Sequence, residues 1–418
     1  MTRVVEAKSF EIAKREVWEA YKRVKANHGA AGVDGQSIAE FEQDLSNNLY
    51  RLWNRMSSGS YFPPPVRRVE IPKNNGAGVR PLGIPTVSDR IAQMVVKRYL
   101  EPRLEAYFHE DSYGYRPGRS AHDALRVARQ RCWEYDWVLD LDIKSYFDSI
   151  DWELMMRAVR HHTDRPWVLL YIERWLKALV SMPDGTVVSR EKGTPQGAVV
   201  SPVLANLFLH YAFDRWMARQ FPDVPFERYA DDAICHCRSE AQALMLREAL
   251  AARLVECKLQ LHPLKTKIVY CKDANRHGSY RQRQFDFLGY TFRPRQSMNR
   301  AGKLFVSFAP AVSNQAGKVM RQRIRRWKLH LRNDLGLGEI ARWTRPVLVG
   351  WLRYYGHFYP SALHRALRTL DRFLVRWVRR KYKRFRDHAM RARDWLNRLR
   401  ARQPTLFAHW GLRSTVGR

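Results

Sequence analysis

The chain has 418 residues, more than one ordinary compact domain needs, and a hydrophobic content of 45% with 14 Trp, 19 Tyr and 18 Phe excludes a disordered protein. Lys and Arg number 74 against 41 Asp and Glu, a formal charge of +33 at a pI near 10.4, and a field of that sign and size points to a polyanionic partner, most often nucleic acid. An anionic membrane surface would ask for an isolated basic amphipathic segment, which is absent, and no run of roughly 18 apolar residues reads as a membrane span.

In chain order, residues 1–56 read as helical, with Val5, Phe10, Ile12, Val17 and Tyr21 at helical spacing, and "NHGAAGVDGQS" (27–37) interrupts them as a Gly-rich loop. The start, "MTRVVEAKSFEIAKREVWEAYKRV", holds no apolar run of signal-peptide type. "VRRVEIPK" and "GVRPLGIP" read as two strands joined by "NNGAG", and residues 88–108 return to helix. "WVLDLDIKSYFDSI" (137–150) begins as a buried strand. Residues 152–180 read as helical, with Trp152 and Trp167 inside, "MPDG" (182–185) as a turn, and 201–221 as a long buried helix. "RYADDAI" (228–234) reads as a hairpin with two aspartates at its tip, followed by a helix over 239–257 and short strands around "KIVYC" and "FDFLGYTF". The five cysteines show no CxxC spacing, so neither a disulfide framework nor a zinc site is expected; Cys235 and Cys237 read as small strand residues.

From 301 onward there are 28 Lys and Arg against 5 Asp and Glu, so this rear part carries +23 of the total +33. It reads as nearly all helix. On a helical wheel over 361–385, Leu363, Leu367, Leu370, Leu374 and Trp377 fall within about 80° of one another. Arg365, Arg368, Arg372, Arg376, Arg379 and Lys383 lie opposite. A cationic row of a single sign is suited to phosphate contact, whereas a merely solvated face usually mixes signs.

The twin aspartates carry the chemistry. Adjacent carboxylates between apolar neighbours repel, and a divalent cation with a preference for oxygen removes that cost. A third carboxylate, Asp142, follows the buried run "VLDL". Carboxylates from separate strands can hold two metal ions about 3.5–4 Å apart, one activating an attacking 3′-hydroxyl and the other stabilising a leaving pyrophosphate. Taken alone, Asp231 and Asp232 are equally well a hydrated turn pair. "GTPQGAVVSP" (193–202) is a Gly/Pro-hinged loop entering a helix, where Gln196 can hydrogen-bond a nucleotide while the helix N-terminus faces an anion; a plain strand-to-helix turn is the other reading. Lys73 and Arg80, on the two arms of the 66–84 hairpin, can clamp a triphosphate or stand as surface residues.

In order along the chain, "GVDG", "RPLGIPTVSDRIAQ", "SYGYRPGRSAHDAL", "DIKSYFDSID", "GTPQGAVVSPVLANLFL", "RYADD", "LKTKIV" and "FDFLGY" resemble the successive polymerase blocks of the bacterial group II intron-encoded reverse transcriptase/maturase. "GWLRYY", the 361–385 helix and "LFAHW" are similar to its thumb (maturase, or X) domain and the DNA-binding segment that follows.

The resemblance implies an α+β right-hand polymerase, fingers and palm with an antiparallel palm sheet, followed by an α-helical thumb. The implied division is an N-terminal extension (1–57) with a template-contacting loop, fingers and palm (58–305), thumb (306–386) and a basic C-terminal segment (387–418). It implies that Asp142, Asp231 and Asp232 bind two Mg²⁺ ions, with Mn²⁺ a possible substitute. It places Phe147 under the incoming sugar, where a bulky ring rejects a 2′-hydroxyl. Lys73, Arg80, Gln196 and Lys265 fall at the nucleotide.

The implied partners are structured intron RNA, an RNA template with DNA or RNA primer, target DNA and deoxynucleoside triphosphates, in a bacterial cytoplasm and without a membrane. No Cys/His endonuclease segment follows "LFAHW", so the endonuclease-lacking type, inserting at replication forks, is expected. The rivals are a domesticated polymerase of repair or phage defence, and a binding-only splicing factor.

Overall fold

The computed structural model describes residues 9–72, 78–299 and 301–411. By internal contacts the chain divides into two compact units, Met1–Ala124 with Leu139–Lys267, and Leu125–Val138 with Ile268–Arg418. These limits differ from the expected ones at 57, 305 and 386.

The first unit opens with helices α1 (Lys14–Ala26), α2 (Ile38–Gln43) and α3 (Leu45–Ser57). A capping box starts α2: Glu40 N–H donates to Ser37 Oγ (3.2 Å) and Ser37 N–H to Glu40 Oε2 (2.7 Å). The Gly-rich loop interrupts the helices as expected, between α1 and α2, and Phe10 and Ile12 precede α1. The 27–37 loop is pinned by arginine. Arg90 Nη2 donates to Ala30 O (3.0 Å) and Arg67 Nη2 to Ala31 O (2.6 Å).

Strands β1 (Val66–Pro72) and β2 (Val79–Ile84) pair antiparallel as expected, with Ile71 opposite Arg80. Helix α4 (Val87–Glu105), capped by Thr86, is buried on several faces. Helix α5 (Ala121–Glu134) lies mostly in the second unit, and strand β3 (Trp137–Asp142) passes from the second unit into the first. After α6 (Tyr146–Ser149) come α7 (Trp152–His162) and α8 (Pro166–Leu176). The helical reading of 152–180 divides into these two helices. Pro166 ends that continuity because it lacks an N–H and suits the first turn of a new helix.

Strands β4 (Val180–Ser181) and β5 (Val187–Val188) flank the 182–185 turn and complete the sheet β2-β1-β4-β5. Helix α9 (Ser201–Leu209) runs through a π turn (His210–Asp214) into α10 (Arg215–Gln220). Strands β6 (Phe226–Tyr229) and β7 (Asp232–Cys237) form the expected hairpin, with β3 beside β7, and α11 (Glu240–Glu256) follows.

Strand β8 (Lys267–Tyr270) begins at the last residue of the first unit, and the second unit then holds the sheet β9 (Phe285–Phe287), β10 (Tyr290–Met298) and β11 (Leu304–Val312), in the order β11-β10-β9. The long β10–β11 hairpin corrects the expectation that nearly everything beyond 301 is helix. "LFVSFAPAV" is β-prone, and the cationic composition of its surroundings masked it.

Helices α12 (Asn314–Arg326), α13 (Leu337–Tyr355), α14 (Pro360–Lys381) and α15 (Ala389–Arg402) then enclose one core, which includes Leu348, Leu367, Trp377, Leu396, Phe407 and Trp410. The "LFAHW" segment thus joins the core of the helices before it. The five cysteines are free and buried. Among the described residues, no helix is long and apolar enough to cross a membrane.

Candidate active site

The β6–β7 hairpin turns through Ala230 and Asp231, since Tyr229 pairs with Asp232. Ala230 has φ 59°, a left-handed conformation that glycine would adopt more cheaply. Tyr115 (φ 56°), whose ring lies against Tyr229, is a second left-handed non-glycine residue at this site. Strain gathered in this way needs surroundings that hold it.

Asp142 ends β3, next to β7 in the sheet. Burial pushes the Asp231 carboxyl above its ordinary range, Arg80 pulls it down, and the charge of Asp142 pushes it up again. The structure therefore brings Asp142 and Asp231 within electrostatic reach of each other. Asp232 is the half-buried first residue of β7.

Among the described residues, no three His, Cys, Asp or Glu side chains gather closely enough to hold an ion by themselves. A half-buried carboxylate destabilised by a second one still fits Mg²⁺, which is commonly held by one or two carboxylates with substrate phosphates and water completing its shell. Lys265 Nζ lies 3.1 Å from Asp142 Oδ2. It serves there as counter-charge to the carboxylate, and would have to leave that pair to meet a triphosphate.

Arg80 and Gln196 come together from 116 positions apart, with Arg80 Nε donating to Gln196 Oε1 (2.7 Å). The loop carrying Gln196 is locked to β2 by Gly83 N–H on Gln196 O (2.7 Å). Gly197, at φ 106°, is required here, because a Cβ would stand 2.8 Å from Gly83 O. On its other side, Thr194 N–H donates to Phe147 O (2.8 Å), which sets the buried Phe147 against the same loop. Lys73 lies outside the described residues.

Just before α9, Gln93 Oε1 accepts from Val199 N–H (2.8 Å) and Val200 N–H (3.2 Å). Gln93 is held in turn by Asp89, which also accepts from Tyr61 (2.9 Å) and Trp175 (2.7 Å).

Burial raises the Asp89 carboxyl to about 6 from an ordinary 3.8, against the pull of these three donors. The folded state therefore holds the proton more tightly than the unfolded chain. Stability from the protonated form is complete below the unfolded value and is lost as pH rises through the folded one. Unfolding titrations should show roughly 3 kcal/mol of that loss between about pH 4 and pH 6, absent in Asp89→Asn. An unchanged pH profile in the variant would refute the assignment.

The residues that fix the hairpin tip escaped the sequence reading. Arg228, 1% exposed, donates Nε and Nη2 to the two oxygens of fully buried Asp214 (both 2.6 Å), and Nη1 to Asn206 Oδ1 (3.0 Å) and Ala230 O (2.9 Å). Asn206 Nδ2 continues to Gly114 O (2.6 Å), and a Cβ on Gly114 would stand 2.3 Å from Ala230 N. The available signal was the charged pair Glu227 and Arg228 inside a short strand flanked by apolar residues, since a charged side chain requires a partner once buried.

Residues 71–292 match the reverse transcriptase (RNA-dependent DNA polymerase) family, and residues 318–395 match the group II intron, maturase-specific domain. The chain belongs to the group II intron reverse transcriptases. It is 31% identical to protein YkfC of Escherichia coli (strain K12) over 360 residues, 77% of this chain and 91% of that protein. It is 33% identical to the group II intron-encoded protein LtrA of Lactococcus lactis subsp. cremoris over 193 residues, 46% of this chain and 32% of LtrA. The putative COX1/OXI3 intron 1 protein of Saccharomyces cerevisiae is 27% identical over 47% of this chain and 23% of its own length. The chain thus spans nearly all of YkfC, but a third or less of these two intron proteins.

In the maturase-specific domain, Leu363, Leu367, Leu370, Leu374 and Trp377 are all fully buried, and Arg365, Arg368, Arg372 and Arg376 are exposed on α14. Arg379 is half-buried, with its Nε on Arg386 O (2.9 Å). Lys383 departs from the expected row. Helix α14 ends at Lys381, and Lys383 begins a short 3₁₀ turn. Arg368, Arg372, Arg376 and Arg379 line a groove of about 510 Å³ together with Arg393 and Arg400 of α15.

Proposed function

We propose that this reverse transcriptase copies intron RNA into cDNA on a right-hand scaffold, fingers and palm in the RT-matched region and a helical thumb in the maturase domain, and that it also assists intron splicing and mobility. The proposed limits are 1–57, 58–305, 306–386 and 387–418. The observation that carries the polymerase reading is the Asp142–Asp231 pair beside the Arg80–Gln196 bond, inside the family match. Asp142 and Asp231, with Asp232 as the third carboxylate, would hold two Mg²⁺ ions; Mn²⁺ is the natural substitute. Bound there, the ions would acidify the primer 3′-hydroxyl and neutralise the leaving pyrophosphate.

The protein's own groups do the rest. Arg80 offers a planar fork to the triphosphate, with Lys73 and Lys265 as further cations. Gln196 orients the nucleotide from a loop that Gly83 and Gln93 immobilise. Phe147 presents a ring where a 2′-hydroxyl would fall, so deoxynucleotides are selected.

Template–primer, structured intron RNA and target DNA are the proposed partners, in the bacterial cytoplasm. The α14 arginines neutralise phosphate, and the LtrA likeness supports an intron-encoded role. Primer extension on an RNA template in Mg²⁺ tests the polymerase. A wild type that assists splicing but never extends a primer would leave the binding-only reading.

For the maturase half, alanine at Arg368, Arg372 and Arg376 together should weaken intron RNA binding and flatten the log–log salt dependence by about 2. Splicing assistance should fall while extension on short templates persists. Unchanged affinity and salt slope would refute the role of the row.

A further inference from the structure

None of the residues proposed for polymerisation lines a cavity of about 500 Å³ in the first unit, walled by α7, the π turn, α10 and α11. Its charged lining is arginine alone, Arg157, Arg215, Arg219 and Arg253, and Tyr211 and Trp216 add rings. Guanidinium groups gathered along a lining that holds no carboxylate repel one another, and a ligand phosphate relieves that repulsion for those left unpaired.

Arg253 is already engaged. It donates Nη2 to Tyr211 O (3.1 Å) and Nε to Ala212 O (3.3 Å), and pairs through Nη1 with Glu256 (2.9 Å). Those two carbonyls belong to the π turn, where Arg215 N–H reaches back five residues to His210 O. A π turn disturbs the regular pattern of carbonyl partners, and Arg253 caps what it frees. Such turns concentrate at functional positions.

The capped turn fixes the Tyr211 ring 5.6 Å beneath the Arg215 guanidinium, with its hydroxyl 2.7 Å from His162 Nε2. Arg157 and Arg219 are exposed, and among the described residues their side chains have no hydrogen bond or ion pair.

We propose that this cavity binds a nucleoside phosphate, its base stacked on Tyr211 or Trp216 and its phosphate held by Arg157 and Arg219. The volume suits a ligand of that size. Planar guanidinium forks match phosphate oxygens, and aromatic faces take any base. The unit arrives either as one nucleotide of a single-stranded RNA or as a free nucleotide.

The test irradiates the full-length protein, in EDTA, with a short single-stranded RNA carrying 4-thiouridine, and maps the cross-linked peptides. The expected result is a cross-link within residues 208–220, reduced at least about tenfold by Arg157→Ala with Arg219→Ala. A control pair on the exposed N-terminal helices, Arg15→Ala with Arg51→Ala, removes the same charge and should leave it. Equal loss in both pairs would reveal a non-specific polyelectrolyte effect, and would overturn the proposal, as would the absence of any cross-link in that segment. The unfolding midpoint of each variant checks folding. If excess adenosine monophosphate displaces the RNA, the free nucleotide suffices as ligand. Displacement by unlabelled RNA alone assigns the site to a nucleotide within a strand.

Discussion

Asp231→Ala should lower single-nucleotide extension on an RNA template by a factor on the order of 10³ or more, because the ion it helps hold supplies several kcal/mol of transition-state charge stabilisation. The same change should leave the unfolding midpoint equal to the wild type or above it. Asp231 is destabilised where it stands, by burial first and by the charge of Asp142 as well, so its removal relieves a cost. A loss of activity without loss of stability separates a functional carboxylate from a structural one. Asp142→Ala should behave alike in extension. Asp232→Ala is the informative companion: a loss as large as that of Asp231→Ala makes it a full ligand, whereas a loss below about tenfold leaves the Asp142–Asp231 pair sufficient. Asp231→Ala extending at more than a tenth of the wild-type rate would end the two-metal reading.

Asp214→Ala should cost roughly 3–5 kcal/mol of stability, because it strands the Arg228 guanidinium in a buried site without its two carboxylate bonds. Arg228 also has a second task, holding the carbonyl of left-handed Ala230 just before Asp231. The double variant Asp214→Leu with Arg228→Met separates the two. Replacing both partners of a buried pair by apolar side chains of similar bulk is often neutral, so chemical denaturation should return stability near the wild type. Extension should stay depressed, since nothing then bonds Ala230 O and the turn is free to relax. Wild-type extension by the double variant would reduce the strut to a stability element.

The hairpin at 66–84, the hairpin around Asp231 and the buried face of α14 were legible from the sequence because each rests on local periodicity. Strand alternation or a 3.6-residue repeat sets which side chains face a core, and five of five residues on the expected apolar row of α14 are fully buried. The π turn carries no periodic signal of its own. The β10–β11 hairpin has one, but it sits inside a region whose charge suggested helix. Lys383 fell off the row because it lies two residues beyond the end of α14 at Lys381, where the helical wheel no longer applies.

Charge and the order of short motifs were enough to place the chain among polymerases of nucleic acid, since those signals survive without knowing which segments touch. Contacts between distant segments needed the folded chain. Arg80 meets Gln196 across 116 positions, Gln93 fixes the amides of Val199 and Val200, and Arg228 reaches Asp214 and Ala230 together. The physical reason is that a buried polar side chain must find its partner wherever packing delivers one, and that partner is set by three-dimensional proximity rather than by spacing along the backbone.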